Sequence, residues 1–201
     1  MKLLSETTAL AKLHVLKSTF ARAIRDGFEH RAKSCVTCET PGACCLDAHF
    51  VNVHITPLEA KAIRNVIEKL PLAAQQHIAK RVEDTISRYE LSSDGDTVSK
   101  TYACPLFEKG TGCLVHERGK PLPCIAHACY ENKEDLPPDE LVAEQEGLVE
   151  KLNEAVYRKP STWLPLPIAL RRSLQAPAED RRRHQQSEKD HVIPDRKIAP
   201  R

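Results

Sequence analysis

The placement of sulfur constrains this chain more than any other feature. All eight cysteines fall in two patches, Cys35, Cys38, Cys44 and Cys45 within one short segment and Cys104, Cys113, Cys124 and Cys129 in a second. A Cys-x-x-Cys loop such as Cys35 to Cys38 turns two thiolates onto one metal, because two intervening residues reverse the chain without straining either side chain. One such pair closes half a coordination sphere. The second patch can supply the remaining thiolates if the chain between Cys45 and Cys104 folds back on itself, so all eight cysteines are candidate metal ligands.

The compartment bears on this reading. The N-terminus, from Met1 to Phe20, is interrupted by polar residues and has no continuous apolar core of a secretory signal. No stretch approaches the roughly 18 apolar residues of a membrane span. The chain is therefore expected in the cytoplasm, away from membranes, where thiols stay reduced and disulfides are rare. A secreted protein with four disulfides is the rival, and a bridge between the neighbours Cys44 and Cys45 would be strained. At 201 residues the chain suits one domain with extensions. Its 4% aromatic content implies a light, aliphatic core that a metal could staple, and a formal net charge of +2 does not mark a nucleic-acid binder.

Periodicity predicts a helix-rich α+β fold with a short antiparallel strand or hairpin region around a cysteine-ligated metal centre. Leu10, Leu13, Leu16, Phe20, Ile24 and Phe28 recur at three- and four-residue steps, marking an amphipathic helix over 5–31. This helix makes residues 1–34 an N-terminal element packed over a cysteine domain at 35–130. Pro41 and Gly42 mark a turn before the vicinal pair. Alternation from Phe50 to Ile55 predicts a half-buried strand. Thr56-Pro57-Leu58-Glu59 reads as a capping box that opens a helix over 57–70, with Leu58, Ala62, Val66 and Leu70 among its inward positions. Pro71 interrupts, and Ile78, Val82, Ile86 and Tyr89 mark the next helix, to Leu91.

A loop at 92–96 precedes a turn-rich region over 97–123, where Gly110, Gly112 and Gly119 permit tight reversals and a hairpin would carry Cys104 and Cys113. A short helix from Cys124 to Tyr130 would present Cys124 and Cys129. After Pro137-Pro138, Leu141, Leu148, Leu152 and Val156 form the stripe of a helix ending at Tyr157. Residues 160–174, with Trp163, are expected as an irregular arm or short helix, so that 131–174 packs on the domain. The polar tail 175–201, with Arg181, Arg182 and Arg183, is expected to be disordered. Nucleic-acid contact is expected only through this tail, and otherwise an unidentified protein partner.

Eight thiols exceed the needs of one tetrahedral ion. Either two zinc sites share them, or one iron-sulfur cluster takes about four. The vicinal pair leans toward the cluster, which presents several irons. His49, His116 and His127 lie close to cysteines and are read as ordinary neighbours, like His14 and His30 in the first helix. The chain carries no Gly-x-Ser-x-Gly, phosphate loop or dinucleotide-binding glycine pattern. An iron-sulfur protein for electron transfer, maturation or sensing is the leading expectation. A zinc-stapled binding module and an enzyme using the centre, methylase-like or oxidoreductase, are the alternatives.

Cys35-x-x-Cys38, then Cys44-Cys45, then Thr56 with Glu59, Cys104-Pro105-Leu106, Gly112-Cys113-Leu114 and Lys120-Pro121-x-x-Cys124 together resemble the YkgJ-type cysteine-cluster family. Members are described as zinc- or iron-chelating or iron-sulfur-containing domains, and the resemblance covers residues 35 to 130. It implies that Cys35, Cys38, Cys45, Cys104, Cys113 and Cys124 correspond to the family's recurring cysteines, with Cys44 completing the vicinal pair. The chain departs from the pattern in a longer loop before Cys44, in Lys120 and Ile125 where arginines are usual, in His116 where tyrosine is frequent, and in the additional Cys129. A related domain occurs in flagellin lysine methylases, whose methyl-donor site has no counterpart in this sequence.

Overall fold

The computed structural model describes residues 3–34, 42–46 and 52–176. Helix α1 spans Glu6–Gly27, and the Ser5 hydroxyl caps it by accepting from the Thr8 amide at 3.2 Å. Its inward face is Ala9, Leu13, Lys17, Phe20 and Ile24. The helix stops at Gly27, short of the expected Arg31, and a single 3-10 turn at Glu29–Arg31 follows. A second 3-10 turn, Ala43–Cys45, holds the vicinal cysteines. Gly42 before it has φ 84, and a β-carbon there would strike the Phe107 ring, so only glycine fits.

The expected strand at 50–55 reduces to β1, His54–Ile55, within the described residues; Phe50 and Val51 lie outside them. Helix α2, Pro57–Ile67, opens with the predicted capping box: the Glu59 amide donates to Thr56 Oγ1 at 3.3 Å and the Thr56 amide to Glu59 Oε2 at 3.4 Å. It ends at Ile67, short of the expected 70, and its buried positions include Leu58, Ala60, Ile63 and Ile67, while Ala62 and Val66, and Leu70 beyond its end, are only half-buried. Helix α3, Leu72–Arg88, buries Ile78, Val82 and Ile86 as its spacing predicts.

Strands β2, Phe107–Glu108, and β3, Gly112–Cys113, pair antiparallel in a hairpin, Phe107 opposite Cys113. Helix α4 is Leu122–Ala126 and helix α5 is Asp139–Tyr157. On α5 the stripe is rotated from expectation: Leu148 is exposed, and Val149, Asn153 and Ala155 are buried. Leu164–Pro165 forms β4, antiparallel to β1 with Ile55 opposite Leu164, and runs directly into α6, Leu166–Gln175.

Of the two forms expected for 160–174, an irregular arm or a short helix, the structure takes the helix over most of the stretch. Residues 164–170 are buried throughout, with Leu166, Ile168 and Leu170 at 0–1% exposure. Proline breaks a helix interior but suits its first turn, where the amide has no intrahelical partner. Pro165 and Pro167 therefore start α6 without breaking it. The helix packs on α2 and α3, and Arg64 of α2 donates to the Ser173 carbonyl at 2.6 Å.

Two apolar clusters result, with α2 as the wall between them. Ile63 and Ile67 face one that includes Ile78, Val82, Tyr102, Leu106, Ile168 and Leu170. Leu58 faces the other, which joins Leu13, Phe20 and Ile24 of α1 to Leu122 and Ile125 of α4 and Val149 of α5. Burying each such aliphatic side chain stabilises the fold by about 1.5–3 kcal/mol before chain entropy is counted. Among the described residues no helix is long and apolar enough to cross a membrane.

Candidate metal centre

Five of the six described cysteines gather at the seam between the two clusters. Cys104 and Cys113 pack against the first, and Cys124 sits in α4 between Leu122 and Ile125 of the second. The two cysteine patches meet through the backbone: the Cys104 amide donates to the Cys45 carbonyl at 2.8 Å. Cys45 is close enough to feel charge on Cys44, Cys104 and Cys124, Cys124 to feel Cys104 and Cys113, and Cys113 to feel Cys44. Five thiols from four separate segments are thus electrostatic neighbours.

Each position has a local cause. Cys44 and Cys45 ride on the 3-10 turn fixed by Gly42 against Phe107. Phe107 is held from behind by Arg81 of α3, whose guanidinium donates to the Phe107 carbonyl and, at 3.4 Å, to that of Cys104. Cys113 lies in β3, opposite Phe107, where Gly110 and Gly112, at φ 86 and 93, turn the hairpin. Cys124 depends on a buried charge. Glu59, at 0% exposure, accepts from Lys17 Nζ at 2.9 Å and, on the same oxygen, from the Leu122 amide at 3.0 Å. One carboxylate therefore ties α1, α2 and the start of α4, two residues ahead of Cys124.

Electrostatics keep these thiols protonated. A hydrogen bond with Cys44, then burial, raises Cys45 far above the ordinary thiol range. Burial pushes Cys104 up to about 12 against the opposing pull of Arg81. Burial likewise raises Cys124 and Cys113, each partly offset by Lys120. Neutral thiols are the cheap form in a low-dielectric seam, and only a cation of comparable strength can make them charged there. Arg81 and Lys120 lower that cost.

Cys45, Cys104, Cys113 and Cys124 form no disulfide among the described residues. Nor do any three His, Cys, Asp or Glu side chains among the described residues already stand in a metal-binding group. The donors are of the right chemistry and in the right neighbourhood, without ligand geometry.

Cys129 corrects the expected Cys124–Tyr130 helix. Helix α4 begins after Pro121 and ends at Ala126, His127 is extended (φ −85, ψ 126), and Cys129 accepts through its carbonyl from the Lys33 amide at 3.0 Å in an isolated antiparallel bridge. The two cysteines share no helix. Cys35, Cys38, His49, Pro41 and the Arg181–Arg183 triplet lie outside the described residues. Of the histidines beside cysteines, His127 is held below the usual imidazole range by burial and then by Lys120, and His116 is exposed.

Sequence reasoning missed the Lys17–Glu59–Leu122 tie. Its only signal was Lys17 on the apolar face of α1, four residues after Leu13 and three before Phe20, where an unpaired ammonium would be costly. Compared with known protein families, curated proteins and solved structures, the chain gives no match.

Proposed function

We propose that this chain is a metal-thiolate protein of the cytoplasm that holds an iron-sulfur cluster through its two cysteine patches. The observation that carries this reading is the convergence of Cys44, Cys45, Cys104, Cys113 and Cys124 from distant segments onto one half-buried seam. Sulfur-only donors suit iron-sulfur clusters and zinc alike. More soft donors than one tetrahedral ion can use, two of them adjacent, favour the cluster. Cys45, Cys104, Cys113 and Cys124 are the proposed inner ligands, with Cys44, Cys129 and, outside the described residues, Cys35 and Cys38 completing the donor set. The likeness of the cysteine spacing to the YkgJ-type family supports the same reading.

Such a cluster supplies one-electron chemistry whose potential depends on local charge and burial. The residues of the chain contribute the surroundings. Arg81 and Lys120 offset thiolate charge, the apolar residues Leu106 and Ile125 cover part of the seam, and the Glu59 tie fixes Cys124. Electron transfer to a protein partner, cluster maturation and sensing all fit this arrangement.

The test is purification without air, followed by an absorbance spectrum and iron, sulfide and zinc analysis. Iron and sulfide in matching amounts with a brown chromophore are expected. Colourless protein with stoichiometric zinc and no sulfide replaces the cluster with a zinc staple, and protein that takes up neither metal ends both readings. Cys113→Ser and Cys38→Ser are each expected to lower metal content, and unchanged loading removes that residue from the ligand set.

A further inference from the structure

Beside the thiol seam, on the other side of Ile125 and Lys120, an open cleft of about 630 Å³ runs between α1, α2 and the turn at 116–120. Its volume falls within the range of small-molecule sites, about 300–1,000 Å³. Its floor is apolar, with the half-buried Leu10, Ala62 and Val66 contributing beside Ile125. Its rim is cationic: Arg25, Lys69, Arg118 and Lys120 stand against two carboxylates, Glu29 and Glu117. A fifth cation, Lys17, is already engaged by Glu59, and Arg25 shares its charge with Asp26 at 3.5 Å. Lys69, Arg118 and Lys120 form no ion pair among the described residues.

This concentration of positive charge stands out because the whole chain is nearly balanced, at +2. Like charges gathered around a concave surface with a low-dielectric floor repel one another and focus a positive potential into it. An anion relieves that repulsion, and an apolar body attached to it covers the floor. A bare inorganic ion would leave the half-buried Leu10, Ala62 and Val66 wet, and a neutral lipid would leave the rim unanswered.

We infer that this cleft binds a small organic anion, a carboxylate or phosphate carried on an apolar body, with its charged head at Lys69, Arg118 and Lys120 and its apolar part over Val66 and Ile125. The inference goes beyond the metal reading and does not depend on it, because the cleft is built by α1, α2 and the 116–120 turn. It places the bound head group next to the thiol seam, since Lys120 also acts on Cys113 and Cys124.

The experiment titrates the full chain, both as purified and after metal removal, with octanoate, octyl phosphate, octylammonium and inorganic phosphate. Calorimetry measures affinity, and methyl NMR locates the ligand. Saturable binding of octanoate or octyl phosphate is expected, with shifts at the Val66 and Ile125 methyls, and whichever head group binds more tightly identifies the ligand as carboxylate or phosphate. Octylammonium is expected not to bind, and inorganic phosphate to bind more weakly than octyl phosphate. Lys69 and Arg118 are exposed, so the K69E/R118E double variant is expected to fold, which its melting curve checks, and to bind about ten-fold more weakly. Lys159→Glu, an exposed charge reversal away from the cleft, is expected to change nothing. The inference is overturned by absence of saturable binding, by equal binding of octylammonium, by equal binding of inorganic phosphate and octyl phosphate, or by unchanged affinity in the double variant. Anion binding by protein that carries no iron or sulfide when purified without air would count against the iron-sulfur reading alone.

Discussion

The cluster formed by α2, α3 and α6 and the thiol seam beside it are built on opposite terms. The first is aliphatic and closed, with Ile63, Ile78, Ile168 and Leu170 all at 0% exposure, and the phenol hydroxyl buried within it is fully used. That hydroxyl, on Tyr102, donates to the Val53 carbonyl at 2.5 Å and accepts from the Leu166 amide at 3.2 Å. The seam is made of short turns, two-residue strands and a five-residue helix, and its cysteines are only partly covered. The aliphatic region has what it needs to stay folded from packing alone. The seam gathers polarisable groups held in their neutral form, an arrangement that gains little by itself and much from a cation. Stability and chemistry are thus assigned to adjacent but different parts of one small fold.

The strongest way to break this division is at Glu59, which belongs to both parts. Glu59→Ala leaves the Lys17 ammonium buried without its partner and the Leu122 amide without an acceptor, and is expected to cost about 3–5 kcal/mol. It should also lower metal content, because α4 loses the tie that sets Cys124. Denaturant unfolding together with metal analysis reads both effects, and a loss under 1 kcal/mol with full loading would dissolve the link between the regions. Glu59→Gln keeps an acceptor for Leu122 and is expected to be milder.

A cut confined to the aliphatic side sharpens the contrast. Leu170→Ala removes a fully buried side chain from α6 and is expected to cost about 2–5 kcal/mol, while metal bound per folded molecule stays unchanged. Loss of metal in proportion to the folded fraction would agree with this, and loss from protein still folded would not.

The mildest probe is pH, and it acts on the seam. Burial holds Cys104 and Cys124 above their unfolded value of 9.0, so the folded state keeps their protons longer than the unfolded state does. That contribution to stability is complete below pH 9 and declines as pH rises from there toward the folded value, about 12 for Cys104. Metal-free protein is therefore expected to melt at progressively lower temperature from pH 9 upward. Metal loading has the opposite sign: binding releases these protons, so uptake strengthens as pH rises from 6.5 to 8.5. Melting curves of Cys104→Ser and Cys124→Ser that keep the same alkaline decline would assign it to other groups, such as Tyr102.

Regular periodicity made α1, α3 and the α2 capping box legible, because each rests on interactions within a few residues of sequence. The elements that escaped are those set by partners far along the chain. The two prolines of 164–170 leave an arm and a short helix equally open in isolation, and the helix is selected where Leu164 pairs with Ile55 and α6 meets α2 and α3. Glu59 reads as a cap, and its larger role depends on Lys17, 42 positions away, and on Leu122, 63 away. Leu148 carried the right period on the wrong face, since Asn153 turns inward to accept from the Leu58 amide at 3.1 Å and fixes the rotation of α5. In the thiol region, the grouping of Cys44, Cys45, Cys104, Cys113 and Cys124 was legible, while the Phe107 contact that dictates Gly42 was not.

The position of α6 has a consequence for biosynthesis. Synthesis runs from the N-terminus, and α2 and α3 emerge from the ribosome long before residues 164–170, the segment that closes over them. During that interval Ile63, Ile67 and Ile78 have no cover, and the cysteines of both patches are accessible to oxidants and stray metal ions. A nascent chain of this kind benefits from a holding chaperone, because the apolar cluster on α2 and α3 is covered only after translation has passed Leu170.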